Sequence, residues 1–590
     1  MSLYSYRLLA EKYHDQILKT IESNRAVIIK GPTGCGKSTY IPFILKDKKV
    51  AIVEPRRIAV MALYTTLSQK IQKLGYKMRF NQNMPEDASM VIYTDGSFLN
   101  SISSLEYDYI IIDEVHERSL RTDLILSILK ASCRSKLILM SATLDTTKLE
   151  RFFNAITFNI PGEGHPLDIK YLEAPTSDYI TETYLTVKKI LKSKDREEKK
   201  DILVFLPGEE DISEAAKLLQ KIPSVSIFKV HSTMGDKEQR RIYDKSDLIR
   251  IILSTNICET SLTIPNIKYV IDSGLCKVKV FDQISYFGMQ PITLESAIQR
   301  MGRCNRLGPG VCYKLYTSSQ KLLKFSAEIT RSDLTTFVLH LISLKKNIFS
   351  FEFVDYPPVE NVLSALEFLL DKKCILLFYE NQVLDSLDKK FENTIDFIDI
   401  ATVSKNVSFK ITNYGRKIVR EPFDVHLSHF YEQCITGGVG YYGSILVSLI
   451  SQENFNFLSS EIEKKSDIEI LVSIFEKYQE KDDKLGFCLK TNIPIKGMEI
   501  ATKIFKTLNK SKNESREADL EATERIFSRC FAHNICSRNS DGSYFLHRIN
   551  RNIYIHPTSG FFKRRDKKIV LVDIFSSSKA YGKIVGKYYS

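Results

Sequence analysis

The chain has 590 residues, too many for one hydrophobic core and enough for about four domains of ordinary size. Hydrophobic residues at 43% and charged residues at 26% exclude a disordered or fibrous protein and are those of a soluble globular one. The balance of 84 basic against 71 acidic residues, a net charge of +13, points to an anionic partner, most simply nucleic acid, with a merely soluble basic surface as the alternative.

Met1 to Ala10 contains Arg7 and no apolar core of signal-peptide length, so no secretion signal is read and the chain is expected inside the cell. Residues 1 to about 160 alternate short β-rich runs (AVIIK from 26, VAIVE from 50, YIIID from 109, KLILM from 136) with helix-forming stretches, the rhythm of a parallel α/β sheet. LKSKDREEKK, 191–200, reads as a solvated helix end or linker. The rhythm then restarts with DILVFL from 201, VSIFKV from 225, IRIILST from 249 and KYVIDSG from 268, which predicts two α/β domains in tandem.

From about 320 the pattern becomes helical, as in DLTTFVLHLISL (333–344) and ENVLSALEFLLDKKCILLF (360–378). Cys434 to Gln452 is uncharged over a membrane-relevant length, but its glycines and hydroxyl residues predict a buried helix instead. His426, His429 and Cys434 lack the paired spacing and fourth ligand of a zinc site. Eleven cysteines without a C-x-x-C pair predict reduced thiols. The polar stretch 508–525 precedes GSYFLH, NIYIHP and KKIVLVDIF, which read as short strands of a small barrel. The basic run FFKRRDKK, 561–568, stays open between an import signal, a phosphate patch and a solvated surface.

GPTGCGKST, Gly31 to Thr39, fits G-x-x-x-x-G-K-[ST] between a strand and a helix-forming stretch, the setting of a phosphate loop. Its glycines let backbone N–H groups close on phosphates, Lys37 reaches the β and γ oxygens, and Ser38 offers a hydroxyl to Mg²⁺. Asp113 ends the strand run Ile110 to Ile112; it is placed to hold Mg²⁺ through water, and Glu114 to bind the metal or to orient and deprotonate an attacking water.

The order and spacing of these motifs resemble the DEAH-box (DEAH/RHA) family of superfamily 2 RNA helicases over nearly the whole chain. EPRRIAV (54–60) is similar to motif Ia, YTDGSFL (93–99) to Ib, DEVH (113–116) to II and SAT (141–143) to III. ILVFLPGEEDI (202–212) resembles motif IV, STNICETSLTI (254–264) motif V and QRMGRCNR (299–306) motif VI. The resemblance implies a catalytic set of Glu114, Asp113, His116, Gln299, Arg303 and Arg306, the two arginines acting as fingers on the γ-phosphoryl. It implies nucleotide contacts from Gly31, Thr33, Gly34, Cys35, Gly36, Lys37, Ser38 and Thr39, with Tyr243 stacking on the base, and metal contacts from Ser38, Asp113 and Glu114. Arg56, Arg57, Thr94, Asp95 and Thr255 match motifs that line the RNA path, and Ser141 and Thr143 the motif that links hydrolysis to strand separation.

The implied architecture is α/β: RecA-like domains over 1–160 and 161–320, a winged helix over 321–385, a helical ratchet-like domain over 386–507 and an OB-fold over 508–590. LCKVKVFDQISYFGMQPITLESA, 275–297, resembles the strand-parting β-hairpin of the second RecA-like domain. Departures from the family pattern stand at Met301, Cys304 and Asn305 in motif VI, implying slower hydrolysis, and at Thr66, where an arginine is expected opposite Tyr243, implying loose recognition of the base. Pro32 replaces a glutamate in the phosphate loop and Val115 an alanine in motif II.

The resemblance thus implies a monomeric, Mg²⁺-requiring ATP-dependent RNA helicase without a membrane segment. It would move on single-stranded RNA without sequence preference, act on ribonucleoprotein complexes with G-patch-type activator proteins, and serve pre-mRNA splicing in the nucleus. A ribosome-biogenesis helicase, a weakly catalytic RNA-binding scaffold and a P-loop ATPase acting on protein complexes are the alternatives.

Overall fold

The computed structural model describes residues 9–32, 34–79, 81–102, 106–132, 134–142, 145–162, 165–193, 200–223, 225–231, 234, 241–244, 246–259, 264, 266–282, 284–306, 308–324, 326–379, 382–384, 407–452, 465–491, 493–509, 519–562, 564–576 and 580–589. Its chain contacts divide into two units. One holds Met1–Lys277, Met289–Glu328 and Glu352–Asp355; the other holds Val278–Gly288, Ile329–Phe351 and Tyr356–Ser590.

The first unit contains two sheets. The first is built from β1 (Ala26–Lys30), β2 (Val50–Glu54), β3 (Leu74–Met78), β4 (Asn81–Asn83), β5 (Met90–Thr94), β6 (Tyr109–Ile112), β7 (Lys136–Ser141) and β8 (Ile156–Asn159), in the order β4-β3-β5-β2-β6-β7-β1-β8. All its pairings are parallel except β3 with β4. The central strands β2 and β6 are buried along their whole length, which is why they read as continuous apolar runs rather than alternating ones.

The second sheet, of parallel pairs, contains β9 (Leu167–Tyr171), β10 (Asp201–Phe205), β11 (Val225–Val230), β12 (Ile249–Ser254), β13 (Ile267–Asp272) and β16 (Gly310–Lys314), ordered β11-β12-β10-β13-β16-β9. The tandem α/β arrangement predicted from the restart near 201 is present. Its flanking strands β3, β5, β8, β9 and β16 were not singled out, because runs such as GVCYK lack a strong apolar period.

In the second unit, β17 (Ile375–Tyr379) lies between β18 (Gln382–Leu384) and β19 (Val407–Ile411) in an antiparallel sheet. This corrects the helical reading of 360–378. The helix covers Val359–Asp371 only, Lys373 adopts φ 54°, and Ile375–Tyr379 then pairs with β19. A left-handed residue ends a helix. The single buried helix read over 434–452 is in fact two, Val425–Thr436 and Gly440–Ile450, separated at Gly438, where φ is +74°. Their close approach needs Gly443, since a Cβ there would lie 2.5 Å from Cys434 Cβ. The hydroxyls of Ser444 and Ser448 donate within their own helix to Tyr441 O (2.7 Å) and Ser444 O (2.6 Å). No helix among the described residues is long and apolar enough to cross a membrane.

The C-terminal sheet contains β20 (Ile535–Arg538), β21 (Tyr544–Leu546), β22 (Arg551–Ile555), β23 (Lys568–Ser576) and β24 (Ala580–Lys587); β22 pairs with β24 and β24 with β23, so the small sheet closes on itself. The strands β14 (Leu275–Asp282) and β15 (Ile284–Pro291) stand where a hairpin was expected, and Tyr286 of β15 pairs with Ile574 of β23. His426, His429 and Cys434 do not converge: His426 Nε2 lies 2.9 Å from Asp333, the Nδ1 of His429 2.6 Å from the Tyr414 hydroxyl, and the Cys434 thiol is buried. None of the ten described cysteines is in a disulfide.

Candidate nucleotide site and RNA path

Parallel packing brings the carboxyl ends of β1, β2 and β6 to one edge of the first sheet. After β1 the chain turns through Gly34 and Gly36, whose φ values of +85° and +96° suit glycine, into the helix Lys37–Ile44. Space at Gly31 is tight, as a Cβ there would meet Ile160 Cβ at 3.0 Å and Cys35 Sγ at 3.2 Å. Lys37 is buried, and its ammonium donates to Gly31 O at 2.6 Å and Pro32 O at 3.0 Å. The loop carbonyls thereby hold the cation that phosphate oxygens would attract.

These residues form one wall of a cavity of about 300 Å³. Gly34, Gly36, Lys37, Ser38 and Thr39 line it, with Asp113 and Glu114 from the turn after β6 and Thr66 from the helix Arg57–Leu67. Arg306 enters from the second sheet's side, its Nη1 3.9 Å from where a Cβ would stand on Gly34. Thr33 lies outside the described residues, as does the side chain of Tyr243.

The acid pair is held by its backbone. Asp113 N donates to Val53 O at 2.9 Å, while Glu114 adopts φ 47° and donates its N–H to Asp113 Oδ1 at 2.8 Å. Asp113 Oδ2 is buried with no hydrogen-bond partner among the described residues, the donor atom a divalent cation or its water would take. Burial and the carboxylates of Asp113 and Glu117 push the Glu114 carboxyl up to about 8, against Lys37 and Arg56. Such a carboxyl is a strong proton acceptor once it is ionised.

Two acids here were not assigned a role from the sequence. Glu54, at the end of β2, is raised well above the ordinary carboxylate range by burial and by Asp113 beside it. Glu117 binds Arg56 at 2.8 Å. The adjacency of β2 and β6, with Val53 opposite Ile112, is what places Glu54 beside Asp113, and no local motif encodes it.

On the opposite side stand two guanidiniums. Burial and the charge of Arg306 lower Arg303 to about 9, and burial lowers Arg306 to about 10. Cations held in this way favour an incoming anion such as a γ-phosphoryl group. His116 joins the two sheets: the Ala142 N–H donates to its Nδ1 at 3.4 Å, and the Gln299 side-chain amide lies 2.7 Å from its Nε2. Burial lowers His116 to about 4, so the imidazole is neutral. Ser141, next to Ala142, is buried at the end of β7 and its carbonyl accepts from Gly31 N at 3.2 Å. Thr143 lies outside the described residues.

Of the residues expected on the RNA path, Arg56 and Arg57 follow β2, while Thr94 and Asp95 end the neighbouring β5, with Thr94 opposite Glu54. Arg56 lines the nucleotide cavity and is paired with Glu117. Arg57 is exposed and donates to Arg79 O at 2.9 Å. Thr94 and Asp95 are buried at the end of β5, where Thr94 donates to Ser97 Oγ at 3.0 Å and burial raises the Asp95 carboxyl. Thr255 follows β12, half-buried, its N–H given to Val230 O at 3.2 Å. Arg118, to which the sequence alone gives no role, takes φ 47° after motif II and binds Asp123 at 2.5 Å and Asp355 at 2.8 Å, fixing the end of the acidic turn.

Comparison with known proteins agrees with this geometry. Residues 11–152 match the model for the DEAD/DEAH box helicase family and residues 182–308 that for the helicase conserved C-terminal domain. The chain is 30% identical to the ATP-dependent RNA helicase HrpA of Borreliella burgdorferi over 98% of its own length and 73% of that protein's. The fold is shared with the crystal structure of the E. coli DExH-box NTPase HrpB at a TM-score of 0.76 and 21% identity, over 100% of this chain and 69% of that one. With a phosphate loop, an acid pair and Arg306 on one cavity, and a relative matched along most of both lengths, the chain belongs to the DEAH-box family of ATP-dependent RNA helicases.

Proposed function

We propose that the protein hydrolyses ATP with Mg²⁺ to step along single-stranded RNA and remodel RNA or its protein complexes. The observation that carries this is the cavity in which Lys37 and Glu114 from one sheet domain share a wall with Arg306 from the other. A nucleotide held there is gripped by both domains, so hydrolysis would change how they close on each other. Ser38 and Asp113 are the groups that would hold the metal; Mg²⁺ would neutralise charge on the phosphoryl oxygens, and Glu114 would take the proton of the attacking water. The closed C-terminal sheet and the helices of 413–508 support an OB-like module and a helical module attached to this motor.

The bacterial relatives lend no support to a role in splicing, so the proposal is a general RNA-remodelling one. It is tested by measuring ATP hydrolysis with and without single-stranded RNA of several sequences. Stimulation by RNA regardless of sequence, falling steeply with salt, is expected. Hydrolysis indifferent to RNA but stimulated by a protein partner would favour the ATPase that acts on protein complexes.

A further inference from the structure

The second unit holds a smaller recess of about 170 Å³ on the C-terminal sheet, lined chiefly by Arg538, Tyr544, Tyr554, Phe562, Arg564 and Arg565. Arg538 ends β20, and the turn that follows passes through Gly542 at φ +87° to bring Tyr544 back on β21. The Tyr544 hydroxyl donates to Asp566 O at 2.9 Å, tying the loop that carries Phe562, Arg564 and Arg565 to the sheet. Arg564 is partly neutralised by Asp566 at 3.1 Å and lies over the Phe561 ring at 4.3 Å. Phe562 is 47% exposed.

The surrounding segment is unusually basic. From Ile535 to Ser590 the chain has eleven Lys and Arg against three Asp, a net +8 out of +13 for the whole protein. A solvated basic surface does not need aromatic rings beside converging guanidiniums; a nucleotide needs both, one for its base and the other for its phosphate. The recess suits one nucleotide rather than a duplex. Arg538 and Arg565, with Arg564 partly offset by Asp566, match the dianion of a phosphate monoester better than the single charge of an internal diester.

We propose that this recess binds a nucleotide bearing a terminal phosphate monoester. The ligand is either an RNA end or a free mononucleotide; only the first source rests on the RNA reading above. The recess shares no residue with the nucleotide cavity.

The test uses the full chain and one short single-stranded RNA made with a 5′-phosphate, with a 3′-phosphate, or with hydroxyls at both ends, followed by fluorescence anisotropy at fixed salt without ATP. At least one phosphorylated form should bind about tenfold more tightly than the hydroxyl form. Arg538→Ala and Arg565→Ala should each abolish that difference while RNA-free ATP hydrolysis stays unchanged; Arg565 is exposed, so its loss leaves the fold intact. Uridine monophosphate added as competitor identifies the source: displacement at concentrations near those of the phosphorylated RNA indicates a free mononucleotide, and no displacement an RNA end. Equal binding of all three RNAs, or a preference that survives in both variants, overturns the proposal. If RNA still stimulates ATP hydrolysis in that case, only the recess has been misread; if no RNA stimulates it, the helicase reading itself fails.

Discussion

Arg300 anchors the helix Leu294–Met301, which carries Gln299 and leads into Arg303 and Arg306. It is 0% exposed; its Nε donates to Glu259 Oε1 at 2.7 Å and its Nη1 to Asp272 Oδ1 at 2.7 Å, with the guanidinium 5.0 Å from the Phe205 ring centre. Burial alone would lower its pKa, but the two carboxylates hold it above the ordinary value. Arg300→Met preserves bulk and removes the charge, leaving Glu259 and Asp272 buried against an apolar chain. Taking away one partner of a buried ionic cluster costs about 3–5 kcal/mol. Tyr316, which donates to Asp272 at 3.2 Å, and Gly274 N at 2.9 Å soften that cost for Asp272, so we expect about 3 kcal/mol. At about 1.4 kcal/mol per decade, amide hydrogen exchange in 294–301 should speed up by roughly a hundredfold, and ATP hydrolysis should fall by at least about tenfold as the arginines lose their alignment. Arg300→Lys should fall between, because an ammonium cannot fork onto two carboxylates. Adding Glu259→Gln and Asp272→Asn to Arg300→Met should restore most of the exchange protection by removing the stranded charges. Exchange within about fivefold of wild type in Arg300→Met, with hydrolysis intact, would show that the cluster does not position motif VI.

Glu114→Gln should keep ATP affinity and lower hydrolysis by roughly two orders of magnitude or more, since the amide cannot accept the water's proton; wild-type turnover would remove Glu114 from that role. Cavity residue Thr66 offers no guanidinium to a base, so ATP, GTP, CTP and UTP should be hydrolysed within about tenfold of one another, and Thr66→Arg should lower their Michaelis constants about threefold through a stacking contact. A hundredfold preference for ATP in the wild type would contradict this. In the second unit, Asp333 overrides the effect of burial to raise His426 above its ordinary value, and His426 with Thr335 keeps Asp333 below the usual carboxylate range against burial. The histidine's contribution is complete below about pH 6.5 and is lost as pH rises through its raised folded value; the aspartate's is present above about pH 4 and is lost as pH falls further. The denaturant midpoint of Asp333→Asn should therefore lie furthest below wild type between about pH 4 and 6.5, the gap narrowing toward pH 9; a gap independent of pH would rule the ion pair out as its cause.

Several features were legible because their chemistry is local. A phosphate loop needs glycines, Lys37 and Ser38 within nine residues, and a buried parallel strand ending in Asp113 and Glu114 announces itself by an unbroken apolar run. The two α/β domains followed from the same period, read twice. Helix ends were less legible: CILLF fits a buried helix or a strand equally well until Lys373 turns left-handed and β19 supplies a partner. Interactions across the fold were not legible at all. Glu54 meets Asp113 only because β2 and β6 are neighbours, Arg56 pairs with Glu117 at the nucleotide cavity, and His116 meets Gln299 from 183 residues away. The sequence by itself determined which groups can bind phosphate and move a proton. Strand order and the low-dielectric burial it creates decided which of them face one another, and thereby which charges are shifted and which are held in reserve.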